Sequence, residues 1–261
     1  MNLPELPEYG IIDAHVHPYL QKHRNFPFRK PETYEEYFAE QRRAGITLSC
    51  GSFNIRNDGS DFSVVEECNR LVLEVHRAYP DSFLPGVNIH PAFPEESRRE
   101  VQKFYDLGFR WVGEIAGYVM GYEQYAVPGM FEILELVQDL GMVLNIHPSR
   151  LEDEAKLAEN FPRLPIVIAH PLFPGIMENY QMAQKYPNIY FDISGSGLPN
   201  WGMLRKGFDM LGPERILFGS DFPVIASGMY VAGALFESLT PAERRCLFRD
   251  NFLRLIDRPD K

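Results

Sequence analysis

Short apolar runs alternate with longer segments of helical periodicity along the whole chain. The runs are Gly10–His17, Ile46–Phe53, Phe83–His90, Phe109–Ala116, Met142–His147, Pro165–His170, Asn188–Ser194 and Arg215–Asp221. Between them, segments such as Glu32–Ala44, Phe62–Tyr79, Pro94–Leu107, Gly129–Leu140 and Leu151–Phe161 carry amphipathic spacing. Ala44-Gly45, Leu107-Gly108 and Leu140-Gly141 each set a glycine where a helix should stop ahead of the next strand. Pro241–Ile256 predicts a terminal helix, with Thr240 as N-cap and Glu243 completing a capping box. Strands alternating with helices imply βαβ units and a parallel sheet. Eight such units in about 250 residues predict an α/β fold of the (β/α)8 TIM-barrel type, one domain over residues 1–261. An open doubly wound sheet would favour a glycine-rich phosphate loop after the first strand, where His15-Val16-His17-Pro18 stands instead.

Strands of a parallel barrel are buried on both faces and should read as continuous apolar runs. Five of these carry a residue able to bind a metal. The first ends His15-Val16-His17, the fifth Asn145-Ile146-His147, the sixth Ile168-Ala169-His170 and the eighth Gly219-Ser220-Asp221; the fourth holds Glu114. Barrel enzymes place their chemistry at the C-terminal ends of the strands, so these side chains are expected to converge on one mouth. With period two, Asp13, His15 and His17 share a face opposite Ile12, Ala14 and Val16, and Asn145 and His147 oppose Leu144 and Ile146. The polar faces are expected to look into the barrel and the apolar faces to meet the helices. Taken singly, each residue has a plainer reading: a satisfied core histidine, a helix-capping aspartate, a structural ion-pair partner. An unpaired polar group costs about 1–3 kcal/mol to bury and a charged one more, so five strand ends repeating that cost imply a shared purpose. Imidazoles and carboxylates suit a divalent metal, Zn²⁺ first among them, with positions left for water and substrate. Such an ion acidifies a bound water, and Asp221, together with His170, is the expected catalytic acid/base.

Composition narrows the alternatives. The chain has 45% hydrophobic and 24% charged residues, ordinary globular usage, with a formal charge of −10. That balance argues against a general nucleic-acid binder, which needs a basic footprint. No stretch approaches the roughly 18 uncharged apolar residues of a membrane span. The opening Met1-Asn2-Leu3-Pro4-Glu5 lacks the pattern of a secretory signal. Three scattered cysteines, Cys50, Cys68 and Cys246, give neither a disulfide framework nor a zinc knuckle, and a cytoplasmic setting is expected. Cys50 and Cys68 read as apolar fillers.

The order of these residues resembles the amidohydrolase superfamily, in the amidohydrolase-related branch that includes aminocarboxymuconate-semialdehyde decarboxylase and lactonase-type members. The matching motifs are Ile12-Asp13-Ala14-His15-Val16-His17, Asn145-Ile146-His147-Pro148, Val167-Ile168-Ala169-His170 and Ile216-Leu217-Phe218-Gly219-Ser220-Asp221-Phe222-Pro223, with Arg249–Ile256 similar to the closing helix. The resemblance implies His15, His17 and Asp221 as ligands of a buried metal. It implies His147 and His170 as a further ligand, a substrate contact or a second-metal site. Val112-Gly113-Glu114-Ile115-Ala116-Gly117-Tyr118 resembles instead the fourth-strand motif of TatD-type deoxyribonucleases, where the glutamate bridges two metals. One tightly held ion is expected, with two if Glu114 binds as it does there.

The predicted mouth is less informative. Pro18–Pro31 has no acidic residue and carries Lys22, Arg24, Arg29, Lys30 and His23, which suits a lid attracting an anionic small molecule. Arg56 and Arg150 are candidate carboxylate contacts, and His90 and Tyr118 candidate substrate contacts. Tyr118, Phe173, Phe222 and Trp201 are candidate pocket aromatics, while His23 and His76 read as surface residues. The leading expectation is a hydrolase of an ester, lactone or amide bond. A metal-dependent non-oxidative decarboxylase and a TatD-like two-metal nuclease are the rivals, followed by a barrel whose metal only holds the fold. A homo-oligomer is compatible with all of them.

Overall fold

A computed structural model describes residues 5–23, 28, 30–171, 175–198 and 200–257. Among them, parallel strands alternate with helices from end to end. The strands are β1 (Ile11–Val16), β2 (Ile46–Gly51), β3 (Phe83–Pro85), β4 (Trp111–Ile115), β5 (Val143–Ile146), β6 (Ile166–Ile168), β7 (Ile189–Asp192) and β8 (Ile216–Leu217). Each is followed by a helix: α1 (Tyr34–Arg43), α2 (Ser63–Ala78), α3 (Pro94–Asp106), α4 (Pro128–Asp139), α5 (Leu151–Asn160), α6 (Ile176–Lys185), α7 (Met203–Leu211) and α8 (Ser227–Phe236). After α8 come α9 (Pro241–Arg245), a π-helical turn (Cys246–Asp250) and α10 (Asn251–Ile256). The predicted terminal helix is thus present but interrupted by the π turn. Its cap is as expected: Glu243 N–H donates to Thr240 Oγ1 at 3.2 Å and Thr240 N–H to Glu243 Oε2 at 2.8 Å.

The wall consists of two ladders, β1-β2-β3 and β4-β5-β6-β7-β8. Parallel bridges between Val87 and Val112 and between Val16 and Phe222 join their edges. Gly113 N–H donates to Val87 O and His17 N–H to Phe222 O, both at 2.8 Å, so the sheet closes into the expected TIM barrel rather than an open sheet.

One apolar cluster draws a residue from every strand: Ile12 and Ala14, Cys50, Leu84, Trp111, Val143, Val167, Tyr190 and Leu217. Only the barrel interior can bring all of these together. Phe252 and Leu255 of α10 close it from below, with the Phe252 ring 5.2 Å from Trp111. Leu144 and Ile146 instead pack outward among the helices, so β5 follows the predicted alternation.

Strand β1 does not. Ile12 and Ala14 were expected on its outer face and belong to the interior cluster, while Val16 packs outward. The register shifts between Asp13 and Val16, which breaks strict period two. Asp13 is therefore separated from the two histidines: its carboxylate accepts from Ser220 Oγ at 2.5 Å, Ser220 N–H at 2.9 Å and His15 N–H at 3.2 Å. On β4 the register shifts between Val112 and Ile115, which leaves Ile115 packed outward beside Glu114.

Candidate metal centre

His17, His147, His170 and Asp221 stand just past the paired residues of β1, β5, β6 and β8, while His15 and Glu114 lie within β1 and β4. Two of them sit on left-handed backbone, His170 at φ 47° and Asp221 at φ 62°. A non-glycine residue there costs of order 1–3 kcal/mol, and such positions concentrate at functional sites. Gly195 lies so close beneath His170 that a Cβ on it would collide with the imidazole.

Three imidazoles are anchored through Nδ1. His15 Nδ1 meets Asp192 Oδ2 at 3.0 Å, His17 Nδ1 meets Ser52 O at 2.8 Å and His170 Nδ1 meets Ser194 Oγ at 2.9 Å. A carbonyl only accepts, so His17 carries a proton on Nδ1, which leaves Nε2 as the nitrogen it can offer to a ligand. All three rings turn Nε2 toward the Glu114 carboxylate: His15 at 3.6 Å, His17 at 3.3 Å and His170 at 3.3 Å. His17 Nε2 is also 3.5 Å from Asp221 Oδ1. His147 is turned the other way, with Nδ1 2.8 Å from Glu114 Oε1 and its ring 4.7 Å from that of Tyr118.

Burial opposes charge at His15, Glu114, Asp192 and His170, yet the neighbours prevail. Asp192 and Glu114 hold His15 well above the ordinary imidazole range despite desolvation. Glu114 is held well below the carboxylate range by His15, His147 and His17. Desolvation is likewise overcome at Asp192, which His15 holds down, and at His170, which Glu114 holds up. Burial alone pushes Asp13 up to about 7. Carboxylates held low in a dry pocket call for positive charge beside them, and the raised His15 answers part of that demand.

A divalent cation fits that demand better. The donor atoms of His15, His17 and Asp221 lie within 4.8 Å of one another, as do those of His15, Glu114 and His170. His15 Nε2 is buried without a hydrogen-bond partner among the described residues, the mark of a nitrogen placed for a ligand. Outer acceptors fixing Nδ1 while Nε2 faces inward is the arrangement by which proteins orient metal-binding histidines. A profile of the amidohydrolase family matches residues 12–258. The chain belongs to that family.

Solved structures agree on the fold. The 2,6-dihydroxybenzoate decarboxylase from Rhizobium superposes with a TM-score of 0.74 at 17% identity, covering 95% of this chain and 98% of the other. The 5-carboxyvanillate decarboxylase from Sphingomonas paucimobilis gives 0.75 at 16% identity over 95% and 98%. A 5-carboxyvanillate decarboxylase from Novosphingobium aromaticivorans, complexed with manganese and a nitrobenzoic acid, gives 0.67 at 16% identity over 84% and 79%. At these identities the likeness speaks for the fold alone. No curated protein matches the chain by sequence.

The other predicted site residues divide. Tyr118 is 57% exposed and leans on His147 at the mouth. Arg56 is exposed on the wall of a cavity of about 680 Å³, alongside Lys22, His23, Phe53, Asn54 and Tyr19. That cavity adjoins the centre, because the Tyr19 ring stacks on His17 at 5.2 Å and Asn54 Nδ2 donates to Glu114 Oε2 at 3.4 Å. Arg150 is exposed at the N-cap of α5. His90 does not join the cluster: its ring nitrogens meet Met120 O at 2.9 Å and Ala92 N–H at 3.1 Å. Trp201, expected in the pocket, is 92% exposed, and Phe222 packs on Tyr37. His23 and His76, expected at the surface, are partly buried; His23 Nδ1 accepts from Leu20 N–H at 3.0 Å and His76 Nδ1 meets Phe83 O at 2.7 Å. Cys50 and Cys68 are buried and unpaired, and burial pushes both thiols up, as inert fillers require. Arg24, Arg29 and Phe173 lie outside the described residues.

Asp192 escaped the sequence reading. It is the lone acid ending Ile189-Tyr190-Phe191-Asp192, the same interruption of an apolar run that flagged the other strand ends. Asn145 Nδ2 donates to its Oδ2 at 3.3 Å, and Ser194 N–H to its Oδ1 at 3.0 Å.

Proposed function

We propose that this chain is a metal-dependent, non-oxidative decarboxylase of a small anionic substrate. The observation that carries the proposal is the set of Nε2 atoms converging on Glu114 beside Asp221, next to a cavity of mixed lining where the cations Lys22 and Arg56 outnumber the one acid, Glu67. His15, His17 and Asp221 would hold one divalent ion, with Glu114 and His170 as the further donors available to it. Bound there, the ion supplies Lewis-acid stabilisation of charge developing on the substrate. The chain's residues do the rest. Lys22 and Arg56 draw the anion in, and Tyr118 flanks it at the mouth. Asp221, whose side chain is 13% exposed, delivers a proton to the carbon that loses its carboxylate and regains one from solvent. The bond electrons stay with that carbon, so the balance is R–CO₂⁻ plus H⁺ giving R–H and CO₂.

Decarboxylation ranks above hydrolysis because two of the decarboxylases that share the fold act, by name, on aromatic carboxylates. A nuclease is disfavoured by the formal charge of −10. Either Mn²⁺ or Zn²⁺ suits the donors, and manganese is the ion held by one of those relatives. The unpaired thiols of Cys50, Cys68 and Cys246 suit a reducing, cytoplasmic setting.

The test is CO₂ release from a panel of aromatic and unsaturated carboxylic acids, run beside a panel of lactones and esters. Activity on the acids should vanish on chelation, return with Mn²⁺ or Zn²⁺, and fall by about 10²–10⁴ in Asp221→Asn. Lactone opening without CO₂ would return the assignment to a hydrolase.

A further inference from the structure

Helix α8 buries Ser227, Tyr230, Val231, Ala234 and Leu235 against the rest of the molecule. Its outward positions, Gly228, Met229, Ala232, Gly233 and Phe236, are all exposed and all apolar. A surface helix ordinarily opposes its apolar stripe with a polar one, and a helix apolar all round is ordinarily covered. Met229 and Phe236 leave 60% and 66% of their surface to solvent. Trp201, 92% exposed, belongs to the same edge. The N–H of its neighbour Gly202 donates at 3.1 Å to Glu237, the residue after Phe236, and Leu198 from the same loop lies over Gly233.

We propose that this face docks a second copy of the chain, α8 against α8 about a twofold axis. Trp201, Met229 and Phe236 together offer roughly 500 Å² of apolar surface, the upper end for a monomer. Pairing the patch with itself buries roughly 1,000 Å², where specific interfaces begin. Charge limits where two copies can meet. Each copy carries −10, so two copies repel wherever acidic surfaces approach, and an uncharged face is where they can meet. Met229, Ala232 and Phe236 follow helical spacing, and Gly228, open to solvent, and Ala232 leave room for the facing helix to come close. None of this depends on the reaction proposed above.

Sedimentation velocity over a wide concentration range tests the proposal on the intact chain. A reversible dimer is expected, tighter at high salt because screening weakens the repulsion and leaves the apolar contact. The emission of Trp201 should shift to shorter wavelength as the dimer forms. Trp111, the other tryptophan, is already buried, so Trp201→Phe should remove the shift. Ala232→Arg and Met229→Glu should each weaken the dimer roughly tenfold or more, with circular dichroism and metal content unchanged. A wild-type monomer at every concentration overturns the proposal. So does a dimer equally tight in both variants. Binding of the monomer to phosphatidylcholine vesicles through this face would assign it to a lipid surface and overturn the proposal as well.

Discussion

Asp192 decides how His15 faces the centre. Its Oδ2 receives both His15 Nδ1 and Asn145 Nδ2, at 3.0 and 3.3 Å, so an amide in its place sets an N–H₂ against one donor or loses an acceptor for the other. Asp192→Asn should therefore weaken metal binding by about 10–100-fold with the fold intact, measured by competition with a chromophoric chelator. Equal affinities would remove Asp192 from the centre. Glu154 offers an independent test of burial. Its Oε1 accepts from Ser149 N–H at 2.7 Å, its Oε2 is buried without a partner, and burial pushes the carboxyl up from 4.5 to about 8. Below 4.5 both folded and unfolded chains hold this proton and its stabilising contribution is complete; it is lost as pH rises through about 8. Glu154→Gln cannot ionise, so its melting temperature relative to wild type should climb between those limits, and parallel curves would sink the assignment. At this scale the residues that gather in the cluster were legible, because each interrupts or ends an apolar run. Asp192 carried the same mark. His90 carried it too, yet its ring is satisfied by backbone groups of Met120 and Ala92, a partnership set by loops whose course no strand pattern encodes.

Among the elements, α9 shows local chemistry at its start, reinforced by Arg205 Nη1 donating to Glu243 Oε1 at 2.9 Å. Thr240 and Glu243 exchange both capping-box hydrogen bonds. Thr240→Ala should cost about 1 kcal/mol and lower the melting temperature by roughly 2–4 °C, read by calorimetry. No loss would mean the π turn and α10 hold that terminus without the cap. Such caps, and glycine stops like Gly45 and Gly141, involve neighbours in sequence and are readable without a structure. The alternation of β1 is a different matter. Its shift between Asp13 and Val16 arises where its neighbours' hydrogen bonds fall, Asp221 N–H to His15 O and His17 N–H to Phe222 O among them. Those partners come from the far end of the chain. Helix α8 defeats pattern reading for another reason: apolar inward and outward, it has no amphipathic period to find.

For the whole molecule, the proposed metal centre would tie stability to metal. A ligand that binds only the folded chain stabilises it by about 2.7 kcal/mol at a hundred times its dissociation constant. Chelation should lower the melting temperature, and Mn²⁺ or Zn²⁺ should restore it. The sign with pH follows from His15. Its folded value is raised, so protonation stabilises the metal-free protein fully below 6.5 and that contribution is lost as pH rises through the raised value. Metal uptake needs the same nitrogen deprotonated and strengthens in that direction. The gap between loaded and chelated melting temperatures should widen as pH rises; a gap that narrows would place the ion elsewhere. The sequence alone determined what local and periodic chemistry can carry: eight strand–helix units, their caps, and the polar residues interrupting apolar runs. Closure of the ring, the rotation of each imidazole and the choice of Asp192 over His90 were decided by tertiary structure. Those depend on hydrogen bonds between residues as distant as His15 and Asp192 or His17 and Phe222, whose pairing exists only once the barrel has closed.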